Sequence, residues 1–301
     1  MEQNENFHSS KFSEITDIIW DGDNTLWDWM KYAVEAYEAM SLAIAEETGK
    51  TEEEVAAVMK KFYTQAGTIE DERLIQGITN AGFFEGVRDF DLNTVIQKAQ
   101  KAFSDARSAN LHLYPQAFEV FKTVHKQGIK NRILTDAPAR QATQRIEHLQ
   151  LGPFLNHVNA LPSKDDPNLP PIFRQREQAG KYKVNFLVTE IPTEKPHTNL
   201  EEILQMTREQ IRKHVVIIGD NDQKDMELVR LFGCRGIHAT YGASSAENLQ
   251  RLLRFAPERI AKKNSSTADK RPTTKKSPHA GLIVKVKNPA EILKVLNLDH
   301  S

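Results

Sequence analysis

The sequence predicts an α/β protein built on a doubly wound parallel sheet, with a small all-helical unit set into it. Three observations carry this. Short, nearly continuous apolar runs such as Val215-Val216-Ile217-Ile218 alternate with amphipathic stretches, as in parallel strands covered on both faces. About residues 29–110 show helical spacing throughout and no convincing strand. Acidic or hydroxyl residues fall at the ends of the apolar runs, where open parallel sheets bind their ligands.

In chain order, Glu14 to Trp20 reads as the first strand and delivers Asp21-Gly22-Asp23-Asn24-Thr25 into a turn. Tyr32 to Glu47 is an Ala-rich helix, and Thr51-Glu52-Glu53-Glu54 is a capping box opening a helix to Ala66. Helices are expected near Glu70 to Ala81 and Leu92 to Ala109, around a break at Gly82. A helix from Gln116 to Gln127 ends at Gly128, a strand Ile129 to Leu134 leads to Thr135, and a helix spans Arg140 to Gln150. Strands at Asn185 to Glu190, Val215 to Ile218, Gly236 to Thr240 and Leu282 to Val286 alternate with helices at Thr198 to Lys213, 224–232, Ser244 to Phe255 and Pro289 to Leu296. The core is therefore 1–28 with 111–301, the helical unit is 29–110, and loop insertions fall at about 159–184 and 262–278.

Composition narrows the class. At 301 residues, 39% hydrophobic and 27% charged, the chain has the profile of a soluble globular protein. No run approaches a membrane span, and the polar start with Glu2 and Glu5 does not suit a secretory signal. The single cysteine, Cys234, suits a reducing, cytoplasmic setting. A formal net charge of −1 gives no overall attraction to nucleic acid or to acidic membranes. The loop containing Lys262, Lys263, Lys270, Arg271, Lys275 and Lys276 is locally basic and could serve a macromolecular partner. It lacks interleaved aromatics, so a solvated loop is the simpler account.

Asp21 and Asp23 stand two residues apart beyond a buried strand. Carboxylates that close raise each other's cost of ionisation unless a cation lies between them. Asp-Gly and Asp-Asn are also ordinary turn residues, so the stretch by itself admits both accounts. Asp220 and Asp225 after the Val215 strand could equally be a turn and a helix start, where carboxylates favour the dipole. The choice depends on the pattern as a whole.

At these positions the chain resembles the haloacid dehalogenase superfamily of phosphotransferases, whose four short motifs occur in fixed order. Asp21-Gly22-Asp23-Asn24-Thr25 matches the first, Thr135 the second, Lys195-Pro196 the third, and Gly219-Asp220 with Asp225 the fourth. The resemblance implies a Rossmann-like core, with 29–110 as a helical cap over the site. It implies Asp21 as nucleophile, Asp23 as general acid and base, and Thr135 and Lys195 as partners of the phosphoryl group. It implies Mg²⁺ held by Asp21, the backbone carbonyl of Asp23, Asp220 and Asp225. Such hard oxygen donors suit the ion, and an aspartyl-phosphate splits the transfer into two steps. By the same resemblance, an Asp at position 23 points to phosphate-ester chemistry, whereas dehalogenase members lack it. One departure stands out: Asp136 occupies the place where the family usually has Asn.

The expectation is a Mg²⁺-dependent phosphatase acting on a small phosphorylated metabolite. Its rivals are a phosphomutase using the same residues, or an effector that engages a protein or nucleic acid through the basic loop. Lys164 competes with Lys195 for its role. Arg73 and Lys60 are candidates for binding a second anionic group, and Leu26-Trp27-Asp28-Trp29 is expected at the cap hinge or the mouth of the site. His112, His148, His157 and His197 show no metal-binding spacing, and Cys234 reads as buried rather than reactive.

Overall fold

The computed structural model describes residues 14–71, 73–87, 91–163, 184–258 and 283–299. The sheet starts with β1 (Asp17–Trp20), and the chain then enters four helices, α1 (Trp29–Thr48), α2 (Glu52–Ala66), α3 (Leu74–Asn80) and α4 (Leu92–Asn110). After α5 (Ala117–Lys126) come β2 (Lys130–Pro138), α6 (Ala139–His148), β3 (His157–Leu161) and β4 (Leu187–Glu190). Two short helices, α7 (Leu200–Leu204) and α8 (Arg208–His214), lead into β5 (Val215–Gly219). The rest is α9 (Asp225–Phe232), β6 (Arg235–Ala239), α10 (Ala246–Leu252), β7 (Ile283–Val286) and α11 (Ala290–Leu296).

Among the described residues the sheet has seven strands in the order β4-β3-β2-β1-β5-β6-β7, and every pairing is parallel. The fully buried strands divide their side chains between two faces. Ile18 and Trp20 pack with Ile133, Val216 and Ile218 on one face, whereas Ile19 packs with Leu134 and Ile217 on the other. Helices α7, α8 and α9 cover the second face through Leu200, Leu204, Ile211 and Met226. Trp20 is fixed by its indole N–H, which donates to Asn131 at 2.9 Å.

Because the chain winds outward from β1 to β4 and then crosses to β5, the direction of winding reverses between β1 and β5. The carboxyl ends of those adjacent strands border the crevice where such sheets bind ligands. Asp21 follows β1 and Asp220 follows β5, so the topology alone brings them together.

The helical stretch is as expected from its caps. Thr51 and Glu54 close a capping box on α2, and Gly49 and Gly67 end α1 and α2 at φ of 68° and 73°. The helix expected from Glu70 begins only at Leu74, which leaves Glu70 in the turn between α2 and α3.

Three further boundaries differ from expectation. The single helix expected over Thr198 to Lys213 is two, because Gln205 takes a left-handed φ of 54° and Thr207 starts a new capping box with Gln210. The insertion expected from 159 begins inside β3, a strand of only five residues. Strand β2 runs past Leu134 to Pro138 with a shift in register, so Thr135 lies within its irregular end rather than beyond it. Residues 164–183, with Lys164, and the basic loop at 262–278 lie outside the described residues. No helix among the described residues is long and apolar enough to cross a membrane.

Candidate active site

The first site element is the turn after β1. The Asp21 amide donates to the Ile218 carbonyl at 2.8 Å, extending the β1–β5 ladder to the carboxylate itself. Asn24 adopts a φ of 60°, and the Leu26 amide donates to the Gly22 carbonyl at 2.8 Å, which folds the chain back on itself. The fully buried Trp27 ring then lies over Gly22, where a Cβ would come within 2.6 Å of the ring. Glycine is required there by this close approach. From the same position the Trp27 indole N–H donates to Asp23 Oδ1 at 2.6 Å.

The second element is the turn after β5. A Cβ on Gly219 would sit 2.3 Å from the Asp225 carboxyl carbon, so glycine opens the space that Asp225 occupies. Asp225 begins α9 and accepts the Asn221 amide at 3.1 Å. One carboxylate oxygen from each of Asp21, Asp220 and Asp225 lies within 4.8 Å of the others, and all three residues are buried.

Lys195 joins them from the segment between β4 and α7. Its Nζ donates to Asp21 Oδ1 at 2.5 Å and to Asp225 Oδ1 at 2.6 Å. Its amide donates to Asp136 Oδ1 at 3.0 Å, and Asp136 Oδ2 pairs with Lys224 Nζ at 2.6 Å. Asp136 therefore anchors the lysine segment and leaves no unpaired charge. Thr135 Oγ1 accepts the Ala137 amide at 3.1 Å, which leaves its hydroxyl hydrogen to donate elsewhere.

Burial is the largest influence on these acids. It pushes Asp21 up to about 7, with Lys195 pulling down and Asp225 pushing up. Asp220 is raised well above the carboxylate range by burial, then by Asp21 and Asp225. For Lys195 burial disfavours the ammonium, but Asp21 and Asp225 outweigh it and the group is held firmly charged. Burial also raises Asp136, yet Lys195 and Lys224 outweigh it and leave that carboxyl low. Three buried acids sharing one lysine are short of positive charge. Hard oxygen donors in that state fit a small divalent cation such as Mg²⁺.

Asp21, Asp23, Thr135, Lys195, Asp220 and Asp225 all line one pocket. The side chain of Asp23 stands apart from the three-acid group. Besides Trp27, it meets Arg145, whose Nη1 lies 3.1 Å from each Asp23 oxygen. Burial raises Asp23, Arg145 pulls it down, and Glu70 pushes it up. Sequence reasoning missed Arg145 and Glu70 entirely. The available signal was that Arg145 lies three residues after buried Ala142 and beside buried Ile146, on the covered face of α6. Trp29 also lines the pocket and donates to Glu70.

Lys60 and Arg73 are not in the pocket lining. Lys60 donates to the Leu253 carbonyl at 2.7 Å, and Arg73 pairs with Asp71. Among the described residues the grouping able to hold a metal contains no histidine. Cys234 is fully buried, and burial pushes its thiol up to about 12.

The sequence profile of haloacid dehalogenase-like hydrolases matches residues 18–180. No curated protein matches the chain. Among solved structures, a haloacid dehalogenase-like family hydrolase from Xanthomonas campestris is 13% identical with a TM-score of 0.50, covering 95% of this chain and 93% of that one. A 2-haloacid dehalogenase from Pseudomonas syringae pv. Tomato is 15% identical (TM-score 0.48; 94% and 98% covered). A candidate β-phosphoglucomutase from Thermotoga maritima is 20% identical (TM-score 0.46; 82% and 97% covered). At 13% identity the likeness to the Xanthomonas hydrolase speaks to the fold alone. The profile, which spans more than half of the chain, decides the family: this protein belongs to the haloacid dehalogenase-like hydrolases.

Proposed function

We propose that the protein is a Mg²⁺-dependent phosphatase that hydrolyses the phosphate monoester of a small metabolite through an aspartyl-phosphate. The observation that carries this is the separation of two neighbouring carboxylates into different surroundings. Asp21 faces Lys195 and the acids Asp220 and Asp225, whereas Asp23 is held outside that group by Trp27 and Arg145. Asp21 would attack phosphorus as the bond to the leaving oxygen breaks, and the Asp23 carboxyl would give that oxygen its proton. Water would then attack the phosphoryl group, lose a proton to Asp23, and release inorganic phosphate and free Asp21. Lys195 and the Thr135 hydroxyl are the donors for the phosphoryl oxygens. Asp21, Asp220 and Asp225, with the backbone carbonyl of Asp23, would hold Mg²⁺, which supplies neutralisation of phosphoryl charge. Helices α1 to α4 would act as the cap that excludes water.

A screen of phosphate esters with Mg²⁺ and with chelator tests this, using wild type and Asp21→Asn. Phosphate release should require both the ion and Asp21. Asp23→Asn should slow alkyl phosphates about 10²- to 10⁴-fold and p-nitrophenyl phosphate far less, because the better leaving group needs little protonation. Activity surviving chelation or Asp21→Asn would refute the mechanism. Return of the phosphoryl group to the substrate instead of to water would make the enzyme a mutase.

A further inference from the structure

Among the described residues Glu70 is the one acid that the helical stretch contributes to the lining of the pocket, and Arg145 links it to Asp23. It is held from several directions. Oε1 accepts from the Trp29 indole N–H at 3.2 Å and pairs with Arg145 Nη2, and the Glu70 carbonyl accepts from Gln141 Nε2 at 3.0 Å. Oε2 takes no hydrogen bond from the described residues.

Both terminal nitrogens of Arg145 are engaged, and its Nε, which takes no hydrogen-bond partner, is buried. Its Nη1 serves both oxygens of Asp23, its Nη2 serves Glu70 and Gln141 Oε1, and the Tyr32 ring lies 5.4 Å from the guanidinium carbon. With Asp23 holding the proton that it gives to the leaving oxygen, Glu70 and Arg145 balance, and the trio offers no net positive charge. Among the described residues the two lysines lining the pocket are also engaged, Lys195 with Asp21 and Asp225 and Lys224 with Asp136. Glu70 and Trp29 line the same pocket as Asp21 and Asp23, so an alcohol leaving at Asp23 would lie beside them. That surface offers a carboxylate oxygen that can accept, and no unpaired cation among the described residues.

We propose that Glu70 is a specificity-determining residue. It accepts a hydrogen bond from a hydroxyl of the leaving alcohol and rejects substrates that carry a second anionic group. The preferred class is the phosphate monoester of an uncharged, hydroxylated alcohol. This inference rests on the phosphatase reading above and goes further by naming the substrate class.

Matched pairs that differ only in CH₂OH against carboxylate test it: 2-hydroxyethyl phosphate against phosphoglycolate, and glycerol 3-phosphate against 3-phosphoglycerate. In wild type, kcat/KM should favour the hydroxyl member of each pair at least tenfold. Glu70→Gln should narrow the preference to about threefold or less, mainly by lowering KM for the carboxylate member. A wild-type ratio near one, or inverted, overturns the proposal without any variant. So does a ratio that Glu70→Gln leaves unchanged. Calorimetric binding of the same pairs to Asp21→Asn with Mg²⁺ separates the two claims. Preferential binding of the hydroxyl member without phosphate release by wild type sinks the phosphatase reading and supports the Glu70 assignment. Equal turnover of both members does the reverse. Neither binding nor turnover sinks both.

Discussion

Arg145 is 3% exposed and sits between two carboxylates, Asp23 and Glu70. Removing one partner of a buried ion pair leaves an uncompensated charge, which costs more than the pair itself contributes. Arg145→Met should therefore lower stability by about 3–5 kcal/mol. Adding Asp23→Asn and Glu70→Gln to it should recover much of that loss, because no buried anion is then left alone. Urea unfolding measures both, and a loss below about 1 kcal/mol for Arg145→Met would show that the two acids do not depend on the guanidinium. The sequence reading did not single out this arginine, although its spacing from Ala142 and Ile146 was a signal. An arginine in a polar helix reads as solvent-facing, and its burial follows from where Glu70 and Tyr32 are brought by a different part of the chain. Asp21, Lys195, Asp220 and Asp225 were legible because each is tied to a local backbone feature: a strand end, a Lys-Pro step, a glycine that clears space.

The elements were easiest to read where local chemistry marks their ends, as the Thr51 capping box and Gly49 do for α1 and α2. The break between α7 and α8 was missed because Thr198 to Lys213 contains no glycine or proline after Pro196. The signal that was present, Thr207 three residues before Gln210, is a second capping box inside the expected helix. Strand β3 was missed for another reason: its five residues mix His157 and Asn159 with apolar neighbours, and pairing on both sides decides its state. Gln205 bears the cost of the break, since its φ of 54° brings a side chain into the left-handed region. Gln205→Gly should relieve that cost and raise stability by about 0.5–1 kcal/mol, after allowing for glycine's greater freedom in the unfolded chain. A higher urea midpoint at unchanged slope is the expected result, and a lower midpoint would mean that the Gln205 side chain is itself stabilising.

At the scale of the molecule, charged groups that meet at the site come from distant parts of the chain. Lys195 and Asp21 are 174 residues apart, and only the reversal of winding between β1 and β5 lets them meet. That general plan was readable from alternating apolar runs, whereas the strand order depended on packing that no single run encodes. Gathering Asp21, Asp220 and Asp225 should cost stability in the metal-free protein, and the sign of its pH dependence follows from Asp21. Burial raises Asp21 to about 7, so between the ordinary carboxylate range and that value the folded state binds a proton that the unfolded state lacks. Stability from this group is therefore present at low pH and lost as pH rises toward 7. Mg²⁺ bound at Asp21 would displace the proton, so its benefit should grow across the same window. At one hundred times its dissociation constant an ion bound only by the folded state adds about 2.7 kcal/mol, a shift of several degrees in Tm. Thermal unfolding with and without Mg²⁺ should show a larger shift at pH 8 than at pH 5.5. Asp220→Asn should raise the metal-free Tm, by removing a buried like charge, and abolish most of the shift. An Mg²⁺ shift of equal size in Asp220→Asn would remove Asp220 from the cation site, and a shift that shrinks as pH rises would contradict the proton displacement at Asp21.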